Sequence, residues 1–546
     1  MLIPPDVVPS AIESAAIVDT GATPSATSAG FVYERRRPEL GTLHRVVREN
    51  LQTLYAAVEE GSAAPLPEFV RREFEQFLEC GLLCRGFALL ACEGCQERRL
   101  VAFSCKGRAW CPSCLGRRMA QTGANLIEHV LPAVPLRQFV ITLPFELRAR
   151  VAYDAPLLGA VGRIVVDSVL GFYRRRMRDC AGVVGQSGAV SVVQRSSSDL
   201  RLNPHWHVIL LDGVFAPDPQ DALVFHPLPS LDDSDLADLL QVIRVRVLGY
   251  LERRAVIEGQ TELTLIGDTL AEREPALAQL AAAAVSGLVP AGPEHRCRPP
   301  IALRGQVGVQ VSAPLSVAEL GFSLHAATTA SADDTRGREA LLRYALRPPI
   351  AQQRLHLLPN DLVRIELRRP FRDGTVAVEL DPLSLLCRLA AMVPAPRSHT
   401  VHYAGVLGAA SKWRPLVVPP PPLSPAQSSL PHAEPSSANQ QHQSLSQPPS
   451  STSKARRSLT HRSGYRPWAE LMKRTFACDV ETCPSCGGRM KLRALVTAPH
   501  NIQRLLRHLG EPTVAPPLSP ARDPPYFKSR TVRRKLGELD SERFEA

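Results

Sequence analysis

The sequence predicts a multidomain α+β protein in which helices alternate with short strands. Its 546 residues exceed the size of one ordinary hydrophobic core, so several domains are expected. Apolar residues recur at helical spacing in some segments and form strand-like runs in others. An apolar share of 45% is sufficient for folded cores, whereas 49 prolines indicate long extended segments.

Taken in order, the periodic segments give the following elements. Helices are predicted at 43–61, 66–86 and 155–179, within 232–288, and at 338–349. Strands are predicted at 136–145, at both ends of 188–215, and in a hairpin at 361–380 around Asp373 and Gly374. Pro144 ends the first of these strands, and the pair Pro348 and Pro349 ends the last helix.

Composition divides the chain into six parts. We expect a flexible tail at 1–40, a helical cysteine-rich domain at 41–130, a central domain at 131–412, a linker at 413–464, a small zinc-ribbon-like module at 465–512, and a charged tail at 513–546. The linker is rich in Pro, Ser and Gln and almost lacks apolar residues. It therefore cannot offset the entropy lost on folding, and disorder is predicted.

Net charge and hydropathy limit the partners. Lys and Arg number 64 against 53 Asp and Glu, and this excess of cations favours polyanions such as nucleic acid. The N-terminus lacks the basic start and apolar core of a secretory signal. The most apolar stretch, near 277–292, is broken by polar residues and is too short to span a membrane. We expect an intracellular protein without a membrane partner.

Seven of the thirteen cysteines lie between Cys80 and Cys114. In a reducing compartment such clustering indicates metal binding rather than disulfides. Two C-x2-C pairs separated by fifteen residues supply four thiolates for one tetrahedral Zn²⁺; the residues are Cys92, Cys95, Cys111 and Cys114. Cys105 is an alternative to one of them, and Cys80 and Cys84 leave room for a second ion.

A second cysteine group, "CDVETCPSCGG", supplies Cys478, Cys483 and Cys486. It has no obvious fourth ligand, although His500 or His508 are candidates, and a degenerate finger is the alternative. The first group also carries cations, which suit contacts with DNA phosphates or simply form a solvated face. The cations are Lys106, Arg108, Arg117 and Arg118.

The stretch "NPHWHVILLDGV" sets His205 and His207 two residues apart on a predicted strand. Alternate side chains of a strand share one face, so both imidazoles point the same way and Trp206 points to the other. Two neutral imidazoles form half of a metal site. Gln194 is a candidate third ligand if 188–194 pairs with 205–211, and Asp199 is the alternative. Two structural histidines on a half-exposed strand would also fit the pattern.

A nucleophile is needed if this site cleaves phosphodiesters. Tyr344, in "LLRYALRPP", is the candidate, because Arg343 and Arg347 beside it are suited to lowering a phenol pKa and to binding phosphate. A tyrosine on a leucine-rich helix is also an ordinary boundary aromatic. Tyr250 and Tyr403 are further candidates.

Four segments together resemble transposases of the insertion-sequence-91 family, close to its common-region relatives. They are "AFSCKGRAWCPSC", "QRSSSDLRLN", "LNPHWHVILLDGV" and "LRYALRPP". The resemblance covers roughly residues 75–410 and the "CPSCGGRM" segment. It implies an N-terminal transposase zinc-binding domain and an HUH (His-hydrophobic-His) nuclease. The implied nuclease core, at 131–412, is ferredoxin-like, with the histidines central in a five-stranded antiparallel sheet.

The resemblance also implies a mechanism. Tyr344 would attack one DNA strand to leave a 5′-phosphotyrosine, with Mg²⁺ or Mn²⁺ held by His205, His207 and the candidate third ligand Gln194, in rolling-circle transposition. "RYALRPP" offers one tyrosine, whereas some relatives carry two on this helix. The implied partner is single-stranded DNA from transposon ends, in the bacterial cytoplasm with the nucleoid. The oligomeric state stays open. A rolling-circle replication initiator and a non-catalytic zinc-dependent DNA-binding regulator are the alternatives.

Overall fold

A computed structural model describes residues 36–62, 64–258, 264–267, 269–286, 308–371, 374–418, 467–476, 479–522 and 529–533. The N-terminal part forms α1 (Thr42–Ser62), α2 (Glu68–Glu79), β1 (Phe87–Cys92), β2 (Arg98–Ala102) and α3 (Pro112–His129). Residues 1–35 of the predicted tail and residues 419–464 of the predicted linker lie outside the described residues.

The central part follows. It begins with β3 (Leu136–Thr142), α4 (Arg148–Tyr153), α5 (Ala155–Ala181), β4 (Gly188–Ser196), β5 (Leu202–Leu211), β6 (Gly213–Pro217), β7 (Leu223–Pro227) and α6 (Asp233–Arg253). It continues with β8 (Ile257–Glu258), β9 (Thr264–Leu265), α7 (Thr269–Arg273), α8 (Pro275–Ser286), β10 (Gln310–Ala313), β11 (Ser316–Glu319), β12 (Phe322–Ala330) and α9 (Thr335–Leu346).

The remaining elements complete the chain. They are β13 (Leu355–Leu357), β14 (Val363–Glu366), β15 (Thr375–Leu380), α10 (Pro382–Met392), β16 (Val401–Gly405) and α11 (Arg414–Val417). The C-terminal part adds α12 (Trp468–Phe476), β17 (Met490–Val496), α13 (Pro499–His508) and β18 (Arg530–Arg533). The predicted helices and strands before residue 380 are therefore confirmed within a few residues at their ends, except that the helix predicted at 66–86 ends at Glu79.

A seven-stranded sheet forms the centre, in the order β10-β11-β12-β3-β5-β4-β16. Every neighbouring pair is antiparallel. The sheet thus has seven strands rather than five, and β5 lies inside it between β3 and β4. The predicted pairing of 188–194 with 205–211 is confirmed, because Gln194 lies opposite His205.

Helices cover both faces of this sheet. From β5, Trp206 and Val208 pack in one core with α5 and α6. Ile209, also on β5, packs on the opposite face with Leu126 of α3 and Leu341 of α9. Each fully buried large apolar side chain contributes about 1.5–3 kcal/mol relative to exposure, which fixes the register of β5 and so the face that its histidines occupy.

Local sequence signals define the ends of the helices that flank the site. The Asp154 carboxylate accepts a hydrogen bond from the Leu157 N–H and caps α5. Asp334 caps α9 in the same way through the Gly337 N–H, and Pro348 prevents α9 from continuing. By length and composition α5 is apolar enough to cross a membrane, but it packs against the sheet.

A second sheet, in the order β13-β14-β15-β18, lies beside α1 and α10. Strand β18 comes from the predicted charged tail, and Arg530 on it pairs with the buried carboxylate of Glu379. Upstream, the Ser519 N–H donates to the Arg48 carbonyl on α1. Parts of the tail are thus ordered against the protein body.

A third sheet, in the order β17-β1-β2, corrects the expected domain organisation. Strand β17 belongs to the predicted C-terminal module, yet it pairs with β1 along its length. Helix α13 packs on the same unit through Ile502 and Leu506, which contact Phe87. The C-terminal cysteine segment is therefore part of the N-terminal domain and not a separate module.

Candidate functional site

The His205 and His207 side chains lie side by side on the face of β5 that α9 covers. Their ring centroids are 5.0 Å apart, and the residues are 8% and 2% exposed. Trp206 between them is buried on the opposite face, as the strand periodicity predicts. The predicted convergence of the two imidazoles is confirmed.

Burial keeps both imidazoles neutral. It lowers the pKa of His205 to about 4 and lowers that of His207 well below its ordinary value, and the positive charge of Arg347 contributes at both. The His205 Nδ1–H donates to the Asn203 carbonyl at 2.7 Å, so its Nε2 carries the free lone pair. Neither ring nitrogen of His207 has a hydrogen-bond partner. Buried imidazoles with free lone pairs fit a divalent metal ion.

The Tyr344 side chain meets this pair from α9. Its ring lies edge-on to His207, with centroids 5.6 Å apart, and 39% of the residue is exposed. The phenol is thus open to a substrate on one side and next to the imidazoles on the other. Leu341 and Ala345, on the buried side of the same helix, fix its orientation.

Two arginines flank the Tyr344 ring. The Arg347 guanidinium lies 4.2 Å from the ring centroid, as the sequence suggested. The other is Arg368, 5.8 Å from the centroid, in the segment between β14 and β15. Arg343 instead forms an ion pair with Glu339 one turn earlier, at 2.7 Å. Its contact with a DNA phosphate stays a prediction.

The Gln194 side chain, on β4 next to the histidine strand, forms hydrogen bonds to the end of α9. Its Nε2 donates to the carbonyls of Tyr344 and Ala345, at 3.1 and 2.7 Å. The amide oxygen is the end that remains for a metal ion. The alternative ligand, Asp199, is occupied elsewhere, because its carboxylate accepts hydrogen bonds from Arg201 and Ser197 at 2.5 Å.

The two other tyrosines lie away from the histidines. Tyr250, on α6, packs against the core on the opposite face of the sheet. Tyr403 is 40% exposed on the edge strand β16, with the Arg414 guanidinium 5.7 Å from its ring centroid. Of the three candidates, Tyr344 is the one with a ring contact to His207.

The cysteines assemble into two clusters of four. In the first, Cys80 lies 3.7 Å from Cys111 and 3.8 Å from Cys114, and Cys105 lies 3.4 Å from Cys114, measured between sulfurs. Zn–S bonds of about 2.3 Å in a tetrahedron place sulfurs about 3.8 Å apart. The cluster therefore fits zinc.

The second cluster joins distant parts of the chain. Cys92 lies 3.4 Å from Cys486, and Cys95 lies 3.6 Å from Cys483, measured between sulfurs. All four ligand atoms lie within 4.8 Å of one another. A Cβ on Gly488 would lie 3.1 Å from the Cys92 sulfur, which explains the glycine after the C-x2-C pair.

These clusters correct the predicted zinc ligands. Cys92 and Cys95 do not share an ion with Cys111 and Cys114. His500 and His508 are exposed on α13 and belong to neither cluster, and Cys478 lies outside the described residues. Spacing alone did not identify the partners, because C-x2-C pairs look alike and Cys80 and Cys105 belong to no such pair.

The predicted DNA-binding cations surround the first cluster. Lys106, Arg108 and Arg118 are exposed, whereas Arg117 is half-buried. The Arg108 guanidinium donates to the Ser398 carbonyl at 3.0 Å, which joins this loop to the segment before β16. The basic loop thus adjoins the edge of the central sheet.

Two family models match these regions. One, described as "Transposase zinc-binding domain", matches residues 50–143, which include the first cysteine cluster. The other, described as "Putative transposase", matches residues 188–414, which include the histidine pair and Tyr344. The chain carries the two domains of an insertion-sequence-91-type transposase. No curated protein or solved structure matches this transposase.

The transposase match indicates what kind of protein carries these sites. It implies an enzyme that cuts DNA or transfers its strands, and that binds DNA and structural zinc. The sequence patterns did not identify Arg368 as a neighbour of Tyr344. They also did not place Cys92 in one cluster with Cys483 and Cys486. The run "LRRPFR" at 367–372 signalled a basic hairpin. Periodicity did not show that the segment after β14 brings Arg368 to Tyr344.

Proposed function

We propose that the transposase nicks and rejoins single-stranded DNA, with Tyr344 as the nucleophile beside a divalent metal ion. The contact between the Tyr344 and His207 rings, 5.6 Å between centroids, carries this proposal. It sets a phenol that is partly exposed next to two neutral imidazoles. A phosphodiester between them would meet both groups that its cleavage requires.

The metal ligands follow from the free donor atoms. His205 Nε2, a ring nitrogen of His207 and the Gln194 amide oxygen would hold Mg²⁺ or Mn²⁺. The ion would act as a Lewis acid on a phosphate oxygen. Gln194 would meanwhile keep its amide hydrogens on the α9 carbonyls and hold Tyr344 in place.

The proposed reaction conserves bonds. The Tyr344 oxygen, having lost its proton, attacks phosphorus, and the bond from phosphorus to the 3′ oxygen breaks. That oxygen takes up a proton as the free 3′-hydroxyl, and the 5′ side of the DNA stays on Tyr344 as a phosphotyrosine. Attack by a 3′-hydroxyl on the phosphotyrosine reverses these changes and joins strands without ATP.

The order of strands supports an HUH core of the ferredoxin-like type. Strands β12-β3-β5-β4 are neighbours, helix α5 connects β3 to β4, and α6 follows β5. Both helices pack on one face, which leaves the other face for the histidines. Two βαβ-like halves of this kind constitute the split βαβ arrangement. We propose rolling-circle transposition from single-stranded ends as the process.

The test is formation of a covalent adduct. Purified protein is mixed with single-stranded oligonucleotides from the element's ends, with Mn²⁺ or EDTA, and separated under denaturing conditions. We expect a metal-dependent band that is lost in Tyr344→Phe and in His205→Ala. Tyr403→Phe, which removes an exposed tyrosine hydroxyl on the same sheet, serves as the matched control and should keep the band.

Other outcomes would overturn the proposal. A full adduct in Tyr344→Phe that disappears in Tyr403→Phe would move the nucleophile to β16. Tight binding to every end without an adduct would favour the non-catalytic zinc-dependent regulator. An adduct formed only with a plasmid or phage origin would favour the replication initiator.

A further inference from the structure

Four arginines gather on the exposed side of Tyr344. Arg347 follows α9, Arg354 lies in the short turn before β13, and Arg368 and Arg369 lie between β14 and β15. Arg347 and Arg368 contact the same tyrosine ring, at 4.2 and 5.8 Å from its centroid. Three separate segments of the chain therefore contribute cations to the surroundings of Tyr344.

Few carboxylates face these charges in the described part of the chain, where the Glu366 carboxylate is the acidic group that acts on Arg354. Within the described ranges, none of the four forms an ion pair, and Arg354 donates instead to the Glu366 carbonyl. Burial and the neighbouring guanidinium charges lower the pKa of Arg354. By contrast, Arg364 on the same hairpin pairs with the Glu379 carboxylate at 2.6 Å.

Such an arrangement is unfavourable in the free protein, because like charges repel one another at short range. An anion that lies among the guanidinium groups would remove the repulsion and form charge-assisted hydrogen bonds. Arg368 and Arg369 are exposed, so a chain of phosphates has access to them. Their position beside Tyr344 makes the phosphates those of the strand that it would attack.

We infer that Arg347, Arg354, Arg368 and Arg369 form a binding site for backbone phosphates of single-stranded DNA next to the attacked phosphodiester. This inference rests on the proposed function, because it takes the strand to pass Tyr344. Arg368 is then a positioning residue whose guanidinium stacks on the nucleophile and binds phosphate. Arg368 and Arg369 thereby make residues 367–371, which follow β14, part of the DNA-binding surface.

The experiment measures DNA binding without chemistry. Fluorescence anisotropy follows a labelled single-stranded oligonucleotide over a series of salt concentrations, in EDTA, so that no adduct forms. For each phosphate that the protein no longer binds, the slope of log affinity against log salt should become shallower by about 0.7. We expect this change, with several-fold weaker binding at low salt, in Arg368→Gln and in Arg369→Gln.

Two variants serve as controls. Arg175→Gln removes an exposed cation from α5, on the opposite side of the sheet, and should keep the slope of the unchanged protein. Arg368→Lys keeps the charge but not the planar fork, and should recover the slope with part of the affinity. Equal slopes and affinities for Arg368→Gln and Arg175→Gln would overturn the inference.

The same variants separate this inference from the proposed function. Absence of an adduct in Mn²⁺ with the unchanged protein would contradict the nuclease and leave the binding result intact. A normal adduct rate and normal binding in Arg368→Gln would contradict the phosphate site and leave the nuclease intact. An equal weakening of binding to an RNA of the same sequence is expected, because phosphates carry no sugar specificity.

Discussion

The sulfur atoms of Cys95 and Cys483 lie 3.6 Å apart, although 388 positions separate the two residues in the sequence. The same two segments also pair as strands β1 and β17. One metal ion at this cluster would therefore join the N-terminal domain to the C-terminal cysteine segment, with the region that matches the transposase model between them in the sequence. Closing a loop of this length costs considerable entropy, which the metal bonds would offset.

We predict two zinc ions per chain, each of which can be removed independently. Cys483→Ser should reduce the zinc content, measured by plasma mass spectrometry, from two to one, because serine is a poor zinc ligand. Limited proteolysis of that variant should release the segment after residue 466, since its tie to β1 is weakened. Cys105→Ser should also leave one zinc.

Cys180→Ser provides the control, because Cys180 is exposed and belongs to neither cluster. It should keep two zinc ions. If Cys483→Ser also kept two, Cys483 would not be a zinc ligand, and the second cluster would not be a metal site.

We predict that Gln194 is needed for more than metal binding. In Gln194→Glu an oxygen remains for the ion, but the amide hydrogens that meet the Tyr344 and Ala345 carbonyls are absent. Each of these hydrogen bonds is at most partly buried, and its loss costs about 0.5–1.5 kcal/mol. The adduct rate should fall tenfold or more, while calorimetry should find Mn²⁺ affinity retained or increased.

A matched substitution, Gln503→Glu, adds the same charge on exposed α13 and should change neither quantity. An adduct rate in Gln194→Glu that equals or exceeds that of the unchanged protein would mean that Gln194 acts through the metal alone.

The buried histidines predict a pH-dependent stability of the metal-free protein. The pKa of His205 is about 4 in the folded state, below the ordinary value near 6.5, so the unfolded chain binds more protons between these pH values. The free energy of unfolding should therefore fall as pH falls from 6.5 to 4, by on the order of 3 kcal/mol from this residue.

Urea unfolding in EDTA at several pH values measures this effect. The slope of the unfolding free energy against pH should be shallower in His205→Gln than in the unchanged protein. It should be unchanged in His402→Gln, which alters an exposed histidine on the edge strand. Identical slopes in all three proteins would show that His205 is not buried in its neutral form.

The sequence predicted the site of the two histidines and Tyr344 better than the two cysteine clusters. Strand periodicity is local, so the common face of His205 and His207 followed from alternation alone. The position of Gln194 opposite His205 followed only if the two neighbouring strands paired in the expected register, as they do. The helix of Tyr344 was likewise defined by its apolar spacing and by Pro348. These signals act over a few residues, which is the range that a single sequence resolves.

Long-range partners were not predictable in the same way. Nothing in "CEGC" at 92–95 distinguishes "CPSC" at 111–114 from "CPSC" at 483–486 as its partner. That choice is made by the pairing of β1 with β17, which depends on packing of α13 against Phe87. Arg368 was missed for a similar reason, since the direction of a hairpin is set by the sheet that holds it.

The packing of Trp206 against α5 gives the last prediction. A Cβ added at Gly162 would lie 2.6 Å from the Trp206 Nε1, whereas one added at Gly159, one turn earlier, would meet nothing within 4 Å. Gly162→Ala should destabilise the fold by about 1–3 kcal/mol through overpacking, partly offset by the gain in helix propensity. Gly159→Ala should stabilise it by about 0.5–1 kcal/mol, because alanine loses less backbone entropy than glycine. The midpoints of urea unfolding measure both changes.

Equal stability of Gly162→Ala and Gly159→Ala would show that Trp206 does not pack against α5. The packing that directs His205 and His207 to the face of Tyr344 would then have to come from other residues of β5.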